Sequence, residues 1–463
     1  MREARGVGVG FRPQLARALL RAPGRVDFLE VVAESCREPR VRREVAALSE
    51  LWPVVPHGVK LSLGSAEGVD EGRARELGQL ARALRAPLVS EHVAFVRAGG
   101  REIGHLTELP MTREAVRVVA RNVATLRRHL PDVPLLLENV ARAFLWDTHE
   151  MSEGEFYREV VRATGCELLL DVSNLYANAL NEGRDPSEAL AEYPLEHARM
   201  VHVAGGVFEC DFYYDTHAHP VPDAVFELVA GALARRPDAA LLLERDAALD
   251  DEAAIFEEVG RLRSIERPDA RAAAPPGAGA LAASPAARAA PPGAPTAASA
   301  ALAGAQAALA RRLTDAGVDP GEGRPLRRAR GVLERKRADE ALALLPRLGA
   351  MVTTARAIEL GRIRETPRPA AMAAVADAMR IAEASTALPE LAAAAAPDWL
   401  CLRARFVAGP AGPRPRTLPW LGRESLGEGR ALWAWKGPGP ASAVRLRERG
   451  AGARVKALRG AGA

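Results

Sequence analysis

The stretch Leu135-Leu136-Leu137-Glu138-Asn139-Val140 decides the fold, because it is a short apolar run that ends on a chemically active side chain, Glu138. Seven further short apolar runs occur in the first part of the chain, and all but the first end, or nearly end, on such a side chain; they are at residues 6–10, 28–34, 54–63, 88–93, 168–174, 200–205 and 241–245. Runs rich in Val and Leu without polar alternation are typical of strands that are buried on both faces.

The stretches between these runs are long enough for crossover helices, at residues 73–85, 113–130, 153–164, 186–192 and 223–235. Eight successive strand–helix units predict an α/β protein of the (β/α)8 TIM-barrel class. In that fold the carboxyl ends of all eight strands meet in one mouth, so polar residues there converge from distant parts of the chain.

The predicted mouth is lined by His, Asp and Glu. The last seven runs contribute Glu34, His57, His92, Glu138, Asp171, His202 and Glu244. Imidazoles mixed with carboxylates suit divalent first-row transition metals. Three His and three carboxylates are too many for one ion, and because carboxylates can bridge, the set would suit two ions roughly 3.5 to 4 Å apart.

A second polar group follows the seventh run. Asp215 and His217 lie there, and Asn174 comes three residues after Asp171. These side chains either hold a third ion or support the first ligands. Glu34 and His105 lie on the predicted functional face as candidate substrate contacts, although His105 is equally compatible with an ordinary loop histidine. No catalytic residue is predicted beyond the metal ligands.

The length of 463 residues exceeds one barrel, so a second domain is expected. The net charge of +4 is too small for this length to imply nucleic acid. No apolar run is long enough for a signal peptide or a membrane span, so a cytoplasmic protein is expected. Four cysteines without a Cys-x-x-Cys pair indicate neither a zinc knuckle nor a disulfide framework.

Composition predicts the domain boundaries. Residues 1–266 contain the predicted barrel, and residues 267–304 are an Ala/Pro/Gly tract that predicts a disordered linker. Residues 305–463 are predicted to form a mainly helical C-terminal domain with a Trp-rich and basic end. This region is a candidate module for a partner or for peptide recruitment, and a helical docking module of another purpose is the alternative.

Taken together, the motifs resemble a known family. They are His57-Gly-Val-Lys, Ser90-Glu-His, Leu137-Glu-Asn-Val, Asp171-Val-Ser-Asn, His202-Val-Ala-Gly-Gly, Asp215-Thr-His-Ala-His and Leu243-Glu-Arg-Asp. Over residues 5–265 their order resembles the multinuclear non-heme iron-dependent oxidative enzymes, an MbnB-like family. One departure is that the second run reads Glu34-Ser-Cys36 where the family tends to have Glu-Asn-Tyr, so substrate contacts on that side can differ.

The resemblance implies a TIM barrel that holds two or three iron ions and uses dioxygen as co-substrate. The substrate would be a residue, often cysteine, of a ribosomally synthesised precursor peptide, and a leader-binding partner or its fused equivalent would present that peptide. The implied iron ligands are His57, His92, Glu138, Asp171, His202 and Glu244, with Asn174, Asp215 and His217 for a third iron.

Two other functions use the same kind of barrel and stay open on the residues alone. One is a metal-dependent sugar isomerase or epimerase, or a phosphodiesterase resembling endonuclease IV, which needs no redox chemistry. The other is a noncatalytic metal-bound scaffold, which ranks third because it would require an incomplete ligand set. Iron with visible absorption would favour the oxidase, whereas zinc or manganese in a colourless protein would favour the isomerase or phosphodiesterase.

Overall fold

The computed structural model describes residues 3–268, 296–315, 323–366, 372–409, 412–427, 430–440, 442–449 and 457–458. The chain forms two compact units. The first comprises Met1–Gly100 and Gly104–Ala307, and the second comprises Arg101–Ile103 and Ala308–Ala463. The boundary between them therefore lies close to the end of the predicted linker.

Eight parallel strands of the first unit close into a barrel, and each strand pairs with its neighbours in sequence while the last pairs with the first. They are β1 (Val7–Gly10), β2 (Leu29–Val32), β3 (Val54–Gly58), β4 (Val89–His92), β5 (Leu135–Glu138), β6 (Glu167–Asp171), β7 (Ala198–Val203) and β8 (Ala240–Leu243). The (β/α)8 barrel expected from the apolar runs is confirmed.

Nine helices of this unit precede the predicted linker. They are α1 (Ala16–Arg21), α2 (Pro39–Leu48), α3 (Glu71–Ala83), α4 (Arg113–Arg127), α5 (Glu153–Thr164), α6 (Val172–Glu182), α7 (Pro186–Glu192), α8 (Asp223–Arg235) and α9 (Glu252–Ser264). The five predicted crossover helices correspond to α3, α4, α5, α7 and α8. Helix α6 differs from expectation, because it begins inside the run 168–174 that was predicted as strand throughout.

The lower half of the barrel interior is apolar. One buried cluster there consists of Phe28, Val55, Leu88, Leu136, Leu169, Met200, Ala240 and Leu242. Gly8 lies against this cluster, and a Cβ at that position would come within 2.7 Å of the Phe28 ring. The glycine-rich first strand therefore serves close packing. Because side chains on a strand alternate, residues two positions farther along also point into the barrel.

Helix α10 (Ala297–Thr314) corrects part of the predicted linker, since residues 297–304 are helical. Its first half belongs to the barrel unit. Gln306 is fully buried there, donating a hydrogen bond to the Gly64 carbonyl at 2.7 Å and accepting one from the Ala66 amide at 2.9 Å. Residues 269–295 of the predicted linker lie outside the described residues.

The second unit contains a helical cluster and a sheet. The helices are α11 (Arg324–Leu342), α12 (Thr354–Leu360), α13 (Ala373–Thr386) and α14 (Pro389–Arg405), and they share a core that includes Leu345, Leu348, Ile381 and Trp399. Trp399, one of the tryptophans of the C-terminal region, lies in α14. Inside this unit Arg337 forms a buried ion pair with Asp377, at 2.9 Å.

Four antiparallel strands of the second unit pair in sequence order. They are β9 (Trp420–Gly427), β10 (Arg430–Lys436), β11 (Val444–Arg449) and β12 (Ala457–Leu458). The last two lie in the basic end of the chain. Among the described residues of the whole protein, no helix combines the length and the apolar character needed to cross a membrane.

Candidate metal centre

A polar layer lies directly above the apolar cluster of the barrel. Each member follows an apolar interior residue by two positions, so it points to the same side of its strand. The members are Glu30, His57, Ser90, Glu138, Asp171, His202 and Glu244, and none is more than 7% exposed. His92 lies two residues beyond Ser90 and is directly opposite Glu138 in the pairing of β4 with β5. Six strands thus bring their predicted polar residues, namely His57, His92, Glu138, Asp171, His202 and Glu244, to one place.

Donor atoms from these side chains form two groups in which all atoms lie within 4.8 Å of one another. One group is His57, His92 and Glu138, and the other is Glu138, Asp171, His202 and Glu244. Glu138 belongs to both groups. All six of the residues predicted as primary ligands are therefore brought together by the fold.

The two carboxylate oxygens of Glu138 face different imidazoles. Its Oε2 lies 3.5 Å from His57 Nε2 and 3.4 Å from His92 Nε2, whereas its Oε1 lies 3.3 Å from His202 Nδ1. This is the arrangement expected of a carboxylate that bridges two cations, one on each side.

Outer partners orient the first two imidazoles. The Nδ1 atom of His57 is hydrogen-bonded to Ser90 Oγ at 2.9 Å, and the Nδ1 atom of His92 donates to the Gly58 carbonyl at 3.1 Å. In both rings these bonds leave Nε2 facing Glu138. A histidine that binds a metal usually has its other nitrogen held in this way.

His202 is oriented from the opposite side. Its Nε2 donates to the Glu30 carboxylate at 3.1 Å, and its Nδ1 lies 3.5 Å from Glu244 Oε2. Glu30 and His202 are both almost completely buried. Glu30 therefore fixes which nitrogen of His202 faces the donor groups.

Asp171 uses one carboxylate oxygen to cap a helix, and its other oxygen has no hydrogen-bond partner among the described residues. Its Oδ1 accepts hydrogen bonds from the Ser173 and Asn174 amides, at 2.7 and 2.8 Å, and so caps α6. Its backbone is held by the Asn139 side chain, which bonds to both its amide and its carbonyl at 2.8 Å. The Asn174 side chain donates to the Asn139 carbonyl at 3.0 Å, which places it next to the cluster.

The group after β7 joins the same cluster through Glu244. His217 Nδ1 lies 3.3 Å from Glu244 Oε2, and His217 Nε2 is hydrogen-bonded to Asp215 Oδ2 at 2.7 Å. His217 has a positive φ of 54°, and its carbonyl accepts a hydrogen bond from the Asp246 amide at 2.7 Å. The His217 side chain is 20% exposed, so this is the more accessible flank of the cluster.

The electrostatics of the cluster reflect crowded carboxylates. Burial and the neighbouring Asp215 and Glu138 raise the pKa of Asp171 well above its ordinary value. Burial alone would lower the pKa of His92, but Glu138 and Glu91 raise it to about 9. Burial would raise the pKa of Glu244, but the nearby His202 and His217 hold it well below its ordinary value.

The donor set fits a divalent cation. Four buried polar atoms of the cluster have no hydrogen bond of ordinary geometry to any part of the chain that the structure describes. They are Glu138 Oε2, Asp171 Oδ2, His202 Nδ1 and Asp215 Oδ1. Such atoms are rare in folded proteins, and their convergence is what a metal site requires. Mixed imidazole and carboxylate donors suit a first-row transition metal.

The two candidate substrate contacts lie apart from the donor groups. Glu34 follows β2, accepts from the Val59 amide at 3.2 Å, and borders a cavity of about 420 Å³. Cys36 and Arg42 border the same cavity, and burial together with Glu91 raises the pKa of Glu34. His105 lies half-buried in the strand Arg101–Thr107, which pairs with Phe95–Ala98 after β4.

Three supporting residues were not predicted as such: Ser90, Glu91 and Asn139. Glu91 is 1% exposed and accepts from the Leu61 and His92 amides, at 3.2 and 2.9 Å. The signal for Ser90 was present in the sequence, because it follows the interior residue Leu88 by two positions. Asn139 and Glu91 give no such signal. Each is adjacent in sequence to a residue that points into the barrel, so the alternation of the strand assigns it to the outer side.

Comparisons with known proteins identify the family of the barrel region. The family described as the RiPP precursor modification enzyme MbnB/TglH/ChrH matches residues 6–267, where RiPP denotes a ribosomally synthesised and post-translationally modified peptide. A UPF0276 protein of Streptomyces avermitilis is 42% identical over 276 residues, which cover 58% of this chain and 56% of that protein. A UPF0276 protein of Caulobacter vibrioides is 38% identical over 244 residues, covering 52% of this chain and 87% of that protein.

Similar solved structures include endonuclease IV from Thermus thermophilus, at 20% identity and a TM-score of 0.39, covering 55% of this chain and 98% of that one. A xylose isomerase domain protein from Planctomyces limnophilus has 15% identity and a TM-score of 0.39, covering 57% of this chain and 98% of that one. The family match, in contrast, spans more than half of the chain and contains every residue of the candidate centre. The chain therefore belongs to the MbnB/TglH/ChrH family of RiPP precursor modification enzymes.

Proposed function

We propose that this protein is a multinuclear non-heme iron enzyme that uses dioxygen to oxidise a cysteine of a ribosomally synthesised precursor peptide. One observation carries the proposal: Glu138 is shared by two groups of buried donors, with a different oxygen toward each. Membership of the RiPP precursor modification family supports a peptide substrate.

The proposed ligands divide among three sites. His57 and His92 would hold the first iron, Asp171, His202 and Glu244 would hold the second, and Glu138, which belongs to both donor groups, would be shared by the two. Asn174, Asp215 and His217 would hold a third iron on the flank where His217 lies beside Glu244. When bound, iron supplies the redox chemistry with dioxygen that no protein side chain can supply.

The protein residues orient the ligands and keep water away from them. Ser90 and Glu30 hold imidazoles so that their ligating nitrogens face Glu138. Because the donors around Glu138 are almost completely buried, charge interactions among them are strong and competing hydrolysis is suppressed. The accessible flank at His217 is the side from which we expect the substrate thiol to approach.

The rest of the peptide needs room beside the mouth. The cavity at Glu34 lies next to β3, and Gly58, whose carbonyl orients His92, forms part of its wall. Glu34 is therefore proposed as a contact for the peptide chain, and His105 as a second contact on the hairpin after β4. The C-terminal region, from residue 305, takes the part of the leader-binding partner in the same chain.

Metal analysis tests the proposal. Protein purified without oxygen and loaded with ferrous iron should hold two or three irons per chain and develop visible absorption on oxidation. A fully loaded preparation with at most one transition metal per chain would overturn the multinuclear assignment. Zinc or manganese in a colourless, active protein would favour an isomerase or a phosphodiesterase.

A second measurement tests the substrate. A short Cys-containing peptide encoded beside this gene should change mass only when iron and dioxygen are both present, and the change should map to its cysteine. The same peptide with Ser in place of Cys is the matched control. A product that forms without dioxygen would contradict the oxidative step while leaving the metal centre in place.

A further inference from the structure

The sheet of the second unit has two different faces. On one face Leu432, Ala434 and Leu446 pack against Ala396 and Leu400 of α14 in a buried cluster. Because side chains alternate along a strand, the residues between them point to the opposite face. That opposite face is where the unit presents an unusual combination of side chains.

We name this surface the Trp/Arg face. Its members are Leu421 and Arg423 of β9, Trp433 and Trp435 of β10, and Arg445 and Arg447 of β11. In the strand register Trp433 lies between Arg423 and Arg447, and Trp435 lies between Leu421 and Arg445. The face therefore consists of a central pair of tryptophans with arginines on both sides.

Acidic side chains are absent from this face over the described part of the three strands. Glu424 and Glu448 both pair with Leu432, whose side chain packs against α14, so they belong to the opposite side of the sheet. Arg403 of α14 lies 3.5 Å from Glu424. The carboxylates of the sheet are thus directed away from the arginines of the Trp/Arg face.

The face is also incompletely satisfied. Leu421 is 65% exposed and Trp435 is 36% exposed. Large apolar side chains that cluster at a surface usually mark an interaction site. The Arg423 guanidinium lies 5.7 Å from the centre of the Trp433 ring. The Nε atom of Arg447 is buried and has no hydrogen-bond partner within the described residues. The Arg447 guanidinium is therefore incompletely hydrogen-bonded within the described residues.

We infer that the Trp/Arg face binds an acidic segment of the precursor peptide in which carboxylates alternate with apolar side chains. This inference rests on the proposed function. Guanidinium groups bind carboxylates through paired hydrogen bonds, and tryptophan supplies a large apolar contact at small entropic cost. Three adjacent strands give a width of about 10 to 15 Å, which suits a few residues of extended peptide.

A peptide fits this face better than a nucleic acid does. The net charge of the chain is only +4 over 463 residues, so long-range attraction for a polyanion is weak. Affinity for nucleic acid comes largely from neutralising many phosphates, and the face offers three arginines. An acidic peptide needs fewer charges and can use Leu421 and both tryptophans.

Fluorescence anisotropy on the full-length chain tests the inference. The probe is a fluorescein-labelled synthetic peptide of about ten residues in which Glu alternates with Leu, long enough to span the face. A matched peptide with Lys in place of Glu and a labelled oligothymidylate serve as competing probes. We expect binding of the acidic peptide alone, weakened by added salt because the contacts are charged and exposed.

The variants locate the contact. Arg445→Glu combined with Arg447→Glu should weaken binding at least about tenfold, because like charges oppose the peptide. Trp435→Ala should weaken it without changing the salt dependence. Arg356→Glu is the control, since Arg356 is an exposed arginine of α12 in the same unit. Circular dichroism identifies any variant that fails to fold, and Arg445→Glu alone changes only an exposed side chain.

Three results would contradict the inference that the Trp/Arg face binds an acidic peptide. Equal weakening by the Arg356 variant, tighter binding of oligothymidylate, or no binding of the acidic peptide would overturn the inference. The assay needs neither iron nor dioxygen, so its failure is separate from failure of the proposed function. A chain that binds the peptide at this face but holds one metal or none would refute the iron chemistry alone.

Discussion

The barrel interior has a lower, apolar layer and an upper, polar layer, which lie two residues apart on the same strands. The two layers differ in whether the protein itself supplies all the contacts that their side chains need. The lower layer, which includes Leu136 and Leu169, is closed by apolar contacts within the protein. The upper layer, which includes Glu138 and Asp171, contains buried polar atoms without hydrogen-bond partners among the described residues. Two residues along each strand therefore separate the side chains that stabilise the fold from those whose polar atoms are available to a ligand.

The largest expected effect comes from breaking the upper layer at its shared residue. Glu138→Ala should empty more than one metal site, because both donor groups contain Glu138. Metal content per folded chain, measured after anaerobic loading with iron, checks this. His217→Ala is the comparison variant, and it should remove about one ion, since His217 contacts the cluster only at its Glu244 flank. Full iron content in Glu138→Ala would show that the carboxylate does not bridge.

A change in the lower layer should lower the stability of the fold and leave the metal content unchanged. Leu169 is fully buried, so Leu169→Ala should lower the free energy of unfolding by about 2 to 5 kcal/mol through lost contacts and a cavity. Urea denaturation of the metal-free protein measures this, and iron per folded chain should stay unchanged. Leu51→Ala, at a residue that is 56% exposed, should change stability by less than about 0.5 kcal/mol. Loss of iron in folded Leu169→Ala would mean that the two layers are coupled.

Glu30 is a polar residue of the upper layer that belongs to neither donor group. It is hydrogen-bonded to the proposed metal ligand His202, so it tests whether a residue that only orients a ligand affects metal binding. Glu30→Ala should weaken metal affinity by about 10- to 100-fold, since His202 would lose the bond that sets its tautomer. Competition with a chelator measures the affinity. Glu30→Gln keeps an acceptor oxygen and should restore most of it. Equal loss in both variants would assign the effect to the charge of Glu30 instead of its hydrogen bond.

The smallest effect is expected at a polar residue whose bonds are complete. Gln306 bonds to Gly64 and Ala66 through both amide atoms, so Gln306→Ala should cost about 1 to 3 kcal/mol of unfolding free energy. Thermal denaturation checks the change, with exposed Gln79→Ala as the matched control. Metal content should not respond. An iron loss here would show that α10 supports the mouth as well as the barrel.

The sequence predicted the barrel because its strands are apolar runs. Such runs can be recognised in the sequence without knowing which strands pair with one another. It predicted Glu138 and His202 because polar residues that end such runs must share one mouth. The same two-residue alternation also contains Glu30 and Ser90, which follow Phe28 and Leu88. Glu30 and Ser90 could therefore have been predicted from the strand runs by assigning alternate residues to the inside and the outside of the barrel.

Other features could not be read from the pattern. Helix α6 begins directly after Asp171, because the Asp171 carboxylate caps it, and a run of similar residues does not reveal where strand becomes helix. Residues 297–304 resemble the preceding tract in Ala content but lack its prolines. Ala is the best helix former, and the Ser299 amide donates to the Thr296 hydroxyl at 3.0 Å, so a helix begins as soon as Pro295 is passed.

The cap on α6 limits how the chain can change during evolution. Asp171 gives one oxygen to the Ser173 and Asn174 amides, and the other oxygen faces the donor groups. Asn at this position would keep the cap but lose the negative charge, whereas Glu would keep the charge on a longer side chain that caps helices poorly. Few substitutions therefore preserve both functions, and drift at this site should be slower than at Glu244, which caps no helix among the described residues.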